Sequence, residues 1–191
     1  TFWLGMNKAD ASNTRNVNIR KLRLILERTG DIAINYKGGY WSISIGDDIT
    51  CDYHEINKIL QEVPDKATVD IATLERILKL AAGGTLTPTI SAEWLDSFKD
   101  EYTKQVTTFM LKMLETSDVK GNNKLILQIA DVLLLNDTLD EEAMRIKCQI
   151  LFRTGQKGAS KRCYDTFVAE HTRLLNEKPA ISYEDILSDL Q

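Results

Sequence analysis

The chain has 191 residues, of which 43% are hydrophobic and 27% charged, and its net charge is −4. That is the composition of a globular protein with room for one large domain or two small ones. No apolar run approaches the ~18 residues that a membrane-crossing helix needs, so contact with a membrane is not expected. The first six residues, Thr1 to Met6, lack the basic start and long apolar stretch of a signal peptide. The three cysteines, Cys51, Cys148 and Cys163, have no short metal-type spacing. A reducing, cytoplasmic setting with Cys148 and Cys163 as core thiols is the simplest expectation.

Charge is unevenly spread. Residues 1–45 hold seven Lys and Arg against three Asp and Glu, a net of +4, which leaves −8 for the other 146 residues. An acidic protein with one basic end offers a polyanion one patch rather than a whole surface. Within that end, residues 15–27 read as a basic amphipathic helix. The alternation Ile32, Ile34, Tyr36 and then Trp41, Ile43, Ile45 reads as a hairpin that turns near Lys37-Gly38-Gly39. We assign this segment to residues 1–47.

Residues 48–90 read as a helical connector. Asp52 with Glu55 has the spacing of a capping box. Ile56, Ile59 and Leu60 follow at helical spacing as far as Pro64, and a second helix fits 70–81, ended by Gly83-Gly84. Residues 91–191 are helical by pattern. A long helix runs from Ser91 to about Ser117, with Trp94, Leu95, Phe98, Tyr102, Val106, Phe109, Met110 and Met113 on one stripe that reads as core. Gly121-Asn122-Asn123 breaks the chain, and a helix continues to about Leu135. Thr138 with Glu141 reads as a capping box opening the next helix, which Gly155 ends. A helix over 157–175 turns Cys163, Tyr164, Phe167 and Leu174 inward, and Ser182 with Asp185 caps a short last helix through Leu190. Helix pairs joined by turns of this length are helical hairpins, and two stacked pairs are similar to a short tetratricopeptide (TPR)-type array. The connector helices are expected to pack against it.

No catalytic constellation is visible, so an enzyme is not expected. His54 sits in a capping sequence and His171 on a charged face. No metal-type His or Cys pair, phosphate-binding loop or nucleophile elbow occurs. The acidic clusters at 137–142 and 184–189 lie at helix starts, where the helix dipole favours them. No metal, cofactor or catalytic residue is assigned.

The basic helix carries the functional signal. On a helical wheel, Leu22 and Leu26 fall at about −60° and −20° from Ile19, which makes a stripe for burial. Arg20, Lys21, Val17 and Leu24 fall on the opposite side, with Arg23 and Asn16 on the flanks. Arg and Lys bind guanine edges or phosphates, Asn pairs with adenine, and an exposed Val17 fits a thymine methyl. A hairpin just after the helix would bring Tyr36, Lys37 and Tyr40 to a neighbouring phosphate or to the minor groove.

The run Asn16-Val17-Asn18-Ile19-Arg20-Lys21-Leu22-Arg23, followed by Gly39-Tyr40, resembles the recognition helix and wing of OmpR-type winged-helix regulators. Phe2-Trp3 and Gly5 resemble the end of the helix before it and the start of its loop. Downstream, Asp52, Gly84, Leu86, Glu93-Trp94-Leu95, Asp140-Glu141-Glu142-Ala143, Gly155, Ala159 and Tyr164 resemble the bacterial transcriptional activator domain. The resemblance implies a mainly α fold: a partial winged helix, then a TPR-like helical-hairpin array over 91–191. It implies that Arg20 and Lys21 contact bases, Arg23 a phosphate and Asn16 a base edge. Tyr36, Lys37 and Tyr40 would form the wing. The implied partners are double-stranded promoter DNA, and a protein partner or a second copy for the helical part. The family's leading strands and first helix would lie ahead of Trp3, so the chain is expected to be the C-terminal part of a longer regulator. The alternative expectation is a TPR-like scaffold for protein contacts whose basic end has no DNA role.

Overall fold

The computed structural model describes residues 5–28, 30–62 and 69–188. The fold is mainly helical, with one small antiparallel hairpin, and it divides into two compact units, 1–51 and 52–191.

The first unit is a helix and a hairpin. Helix α1 spans Lys8–Leu26. Asn7 caps it by accepting from the Asp10 amide at 2.9 Å, satisfying a donor that the first turn leaves unpaired. The helix therefore starts two turns before the basic run, because nothing between that cap and Leu26 interrupts it. Strands β1 (Ile32–Lys37) and β2 (Tyr40–Ile45) pair in register, with Ile32 opposite Ile45, Ile34 opposite Ile43 and Tyr36 opposite Trp41. These six side chains share one face. The other face is polar, with Asn35 donating to the Ser44 hydroxyl at 3.0 Å. Gly38 and Gly39 close the two-residue loop at φ +62° and +88°. Positive φ at both positions is the turn whose twist matches the strands, and glycine adopts it without strain.

The stripe expected to be buried on α1 is only partly covered. Ile19 and Leu26 are half-buried and Leu22 is 47% exposed; no residue of α1 is fully buried. Within this unit only a two-stranded hairpin lies against the helix, and among the described residues Ile34 is its one buried side chain. Ile25, Ile43 and Ile45 stay exposed as well.

The second unit comprises α2 (Asp52–Glu62), α3 (Ile71–Ala81), α4 (Glu93–Leu114), α5 (Ser117–Lys120), α6 (Asn123–Asn136), α7 (Glu141–Arg153), α8 (Lys157–Leu175) and α9 (Tyr183–Ser188). No strand occurs among its described residues. α6, α7 and α8 pack each on the next through turns of four and three residues. The connector helices join this core: α2 packs on α4 and α3 on α6. Ile56, Ile77, Val106, Phe109, Met113, Ile129 and Leu133 form the main cluster, and Met144, Cys148, Phe167 and Ile186 a second one. Burying each large aliphatic or aromatic side chain contributes about 1.5–3 kcal/mol.

Several local expectations are corrected. Asp140, not Thr138, caps α7, accepting from the Ala143 amide at 2.9 Å, while Asp137 accepts from the Leu139 amide at 2.8 Å. Two carboxylates in the turn bind these amides more strongly than a hydroxyl does. Asp52 is the first residue of α2 rather than the residue before it, and Glu55 pairs with Arg76 of α3. Trp94 and Phe98 are 57% and 49% exposed, while Leu95 and Tyr102 take the buried positions. At 100° per residue Trp94 and Phe98 lie about 100° and 60° round the helix from Leu95, at the edge of the buried stripe. Leu174, at the free end of α8, is also half exposed. The capping pair at α9 forms as expected: Ser182 Oγ accepts from the Asp185 amide at 3.1 Å, and the Ser182 amide donates to Asp185 Oδ2 at 3.0 Å. That carboxyl is held below its ordinary range, first by the Ser182 hydroxyl and then by the Ser182 amide. Pro64 and Leu190 lie outside the described residues.

Candidate nucleic-acid interface

Asn16, Val17, Arg20 and Lys21 are all exposed on α1, with Val17 at 52%. They occupy one stretch of the helix surface, as the wheel requires, and they present two cations, an amide and a branched methyl pair. Lys37 pairs with Tyr40 across the hairpin turn, and both are exposed. Tyr36 is exposed too, and its ring lies 4.8 Å from that of Trp41. The hairpin tip is therefore an aromatic and cationic knob.

Arg23 is placed differently from a phosphate-binding arm. Its guanidinium donates to the Ile34 carbonyl at 2.7 Å and lies over the Trp41 ring, 5.9 Å from its centre. Arg23 thus ties the helix to both strands. Arg15 also lies over that ring, 6.0 Å from its centre, and donates to Ser12 Oγ at 3.1 Å. Trp41 thus has two guanidiniums near its ring, contacts worth about 0.5–1 kcal/mol per exposed pair. Sequence reasoning passed over Arg15 and Trp41. Their signal was the spacing 15, 19, 23, which puts Arg15, Ile19 and Arg23 on one helix face and turns that face to the hairpin.

The structure thus brings Asn16, Val17, Arg20 and Lys21 together on α1, gathers Tyr36, Lys37 and Tyr40 at the hairpin, and ties Arg23, itself exposed, across to the hairpin. Elsewhere, no cluster of three or more His, Cys, Asp and Glu residues suited to a metal occurs among the described residues. His171 Nδ1 lies 2.9 Å from the Glu177 carbonyl, and the His54 ring stands edge-on to Tyr53. No helix among the described residues is long and apolar enough to cross a membrane. No protein-family model matches the chain, nor does any curated protein or solved structure compared with it.

Proposed function

We propose that the chain is part of a bacterial DNA-binding transcription regulator. In this reading α1 enters the major groove of promoter DNA, and the β1–β2 hairpin is the wing beside it. The helical unit, 52–191, makes protein contacts, with itself or with a partner. The observation that carries the reading is the pairing of an exposed Asn16/Val17/Arg20/Lys21 surface with a hairpin braced on the same helix by Arg23. A helix with cations outside is ordinary. One followed by a short hairpin that carries Lys37 and two exposed tyrosines at its tip has the parts that groove reading needs. The excess of cations in residues 1–45 over an acidic remainder supports the same orientation toward a polyanion.

In this reading Arg20, Lys21 and Asn16 face base edges, with Val17 beside a thymine methyl. Lys37, Tyr36 and Tyr40 reach the sugar-phosphate backbone or the minor groove. Arg23 sets the angle between helix and wing.

The test is a mobility-shift titration of the full-length protein on DNA from upstream of its own gene, with unrelated DNA as competitor. Retarded complexes that survive competitor, and that weaken with rising salt, are expected. If the protein with Arg20→Ala and Lys21→Ala together binds as well as the unaltered one, the helix is not the reader. A helical scaffold for protein contacts then describes the chain better.

A further inference from the structure

The α7–α8 pair holds chemistry that DNA reading does not use. A cavity of about 570 Å³ opens beside the two helices, lined by the buried Met144, Leu151 and Phe167 and by Lys147, Arg162, Glu170 and Cys163. Cys163 is half-buried at its wall, and Cys148 is fully buried just behind. The two helices meet closely here. Ser160 of α8 donates to the Cys148 carbonyl at 2.8 Å, and the Cys148 thiol lies 3.4 Å from the Ser160 carbonyl. Each backbone is within reach of one short side chain from the other, and Cys163 follows Ser160 by one helical turn on that face. Lys147, in that lining, pairs with Asp131 at 2.5 Å.

We propose that Cys163 is an oxidisable site that Cys148 resolves, so that a hydroperoxide entering the cavity converts the two thiols into an intrachain disulfide between α7 and α8. The thiolate is the reactive form of a cysteine, and access to oxidant decides which cysteine reacts. Cys163 has both conditions. The neighbouring Cys148 thiol holds the Cys163 thiol below the ordinary range, against the opposing effect of burial; the Lys147 ammonium adds to the lowering and the Asp131 carboxylate opposes it. Hydrogen bonding with Cys163, and then burial, push the Cys148 thiol up, so Cys148 keeps its proton until Cys163 has reacted.

The chemistry balances in two steps. The Cys163 thiolate attacks one peroxide oxygen. The O–O bond breaks, the other oxygen leaves and takes up a proton as water or alcohol, and Cys163 becomes a sulfenic acid. Cys148 sulfur then attacks Cys163 sulfur. The S–S bond forms, the S–O bond breaks, and hydroxide leaves with the Cys148 proton as water. The two thiols lose two protons and two electrons, and the peroxide is reduced. The apolar part of the lining and the mixed charges of Lys147, Arg162 and Glu170 favour a small, uncharged peroxide.

The experiment treats the reduced full-length protein with a small molar excess of hydrogen peroxide, blocks remaining thiols with iodoacetamide and maps tryptic peptides by mass. Lys147 and Arg162 immediately precede the two cysteines, so each begins its own peptide, at 148 and at 163. The expected product joins these two peptides, lighter by two hydrogens than their sum, while Cys51 stays alkylated. Cys148→Ser should leave a sulfenic acid on Cys163 that dimedone captures, and Lys147→Gln should slow alkylation of Cys163 several-fold at neutral pH. Recovery of both peptides fully alkylated after peroxide would overturn the proposal. So would modification of Cys51 ahead of Cys163, or dimedone capture at Cys163 no faster than at Cys51. The mapping of unaltered protein needs no variant to fold.

Discussion

Ser160 on α8 donates its hydroxyl to the carbonyl of Cys148 on α7 at 2.8 Å, and both residues are fully buried. The same hydroxyl oxygen accepts from Tyr183 at 2.8 Å, so one serine joins α7, α8 and the start of α9. Small residues at 148 and 160 let the two backbones approach, and the hydroxyl satisfies polar groups that this approach would otherwise leave dry. Ser160→Ala should lower stability by about 1–3 kcal/mol, the cost of leaving buried partners unpaired. Ser160→Leu should lower it further by forcing the helices apart. Urea unfolding followed by circular dichroism checks both. A midpoint unchanged in Ser160→Ala would mean that water replaces the hydroxyl.

Arg23 separates two roles by its chemistry. As a brace it needs the planar guanidinium, which bonds the Ile34 carbonyl and lies over Trp41 together. Lysine keeps the charge but not that geometry. Arg23→Lys should therefore weaken DNA binding nearly as much as Arg23→Ala. It should also reduce hydrogen-exchange protection in β1. A phosphate-binding arm would instead tolerate lysine, and binding would then stay near that of the unaltered protein.

Arg20→Ala and Lys21→Ala should each weaken specific binding of the full-length protein by about 1–3 kcal/mol, the loss expected for a base contact. Lys37→Ala should weaken binding to all sequences alike and flatten its salt dependence. Titrations on promoter and unrelated DNA at two salt concentrations distinguish the two patterns. Equal losses on both DNAs for Arg20→Ala would reassign it to the phosphates.

The turn at Gly38-Gly39 is a backbone requirement, since a side chain at either position would meet open space. Gly38→Asn should be nearly neutral, because asparagine tolerates positive φ. Gly38→Val should cost about 1–2 kcal/mol of hairpin stability through the left-handed strain alone. Hydrogen exchange of the β1 and β2 amides reports the difference. Equal protection in the two variants would show that the turn relaxes to another type.

Acid should loosen α9. Because Asp185 is held below its ordinary range in the fold by the Ser182 hydroxyl and amide, the carboxylate's contribution is fully present above the ordinary carboxylate pKa. It is lost as pH falls through the lowered value. Asp185→Asn should remove that part of the pH dependence and leave the unaltered protein more stable than the variant only above that window. Thermal midpoints measured across the acidic range check it; parallel curves for the two proteins would mean that the cap does not couple to folding.

The sequence by itself determined the local elements. Asp70 before Ile71, Gly155 after α7 and the Ser182/Asp185 pair mark helix ends chemically, through amides that a nearby carboxylate or hydroxyl must satisfy, or through a backbone that only glycine adopts easily. The hairpin was legible for the same reason, since its alternation and its glycine pair are local properties. The exposed part of the candidate interface followed from the helical period: Val17, Arg20 and Lys21 lie opposite Ile19, with Asn16 on the flank. Tertiary structure alone decided which apolar residues find cover. Trp94, Phe98 and Leu174 fit a core stripe by spacing and are half exposed, because spacing marks a face and only the packing of neighbouring elements decides how much of it is covered. Leu22 is left uncovered for a similar reason, since the surface against α1 is only two strands wide. Tertiary structure also gave Arg23, read from the sequence as a flanking phosphate contact, an acceptor eleven residues away at Ile34. It placed Cys163 at one cavity with Lys147 and against the cluster that holds Cys148, a grouping that fifteen residues of separation concealed. Contacts of this kind are set by the packing of whole elements, and a periodic pattern shows only which face is available for them.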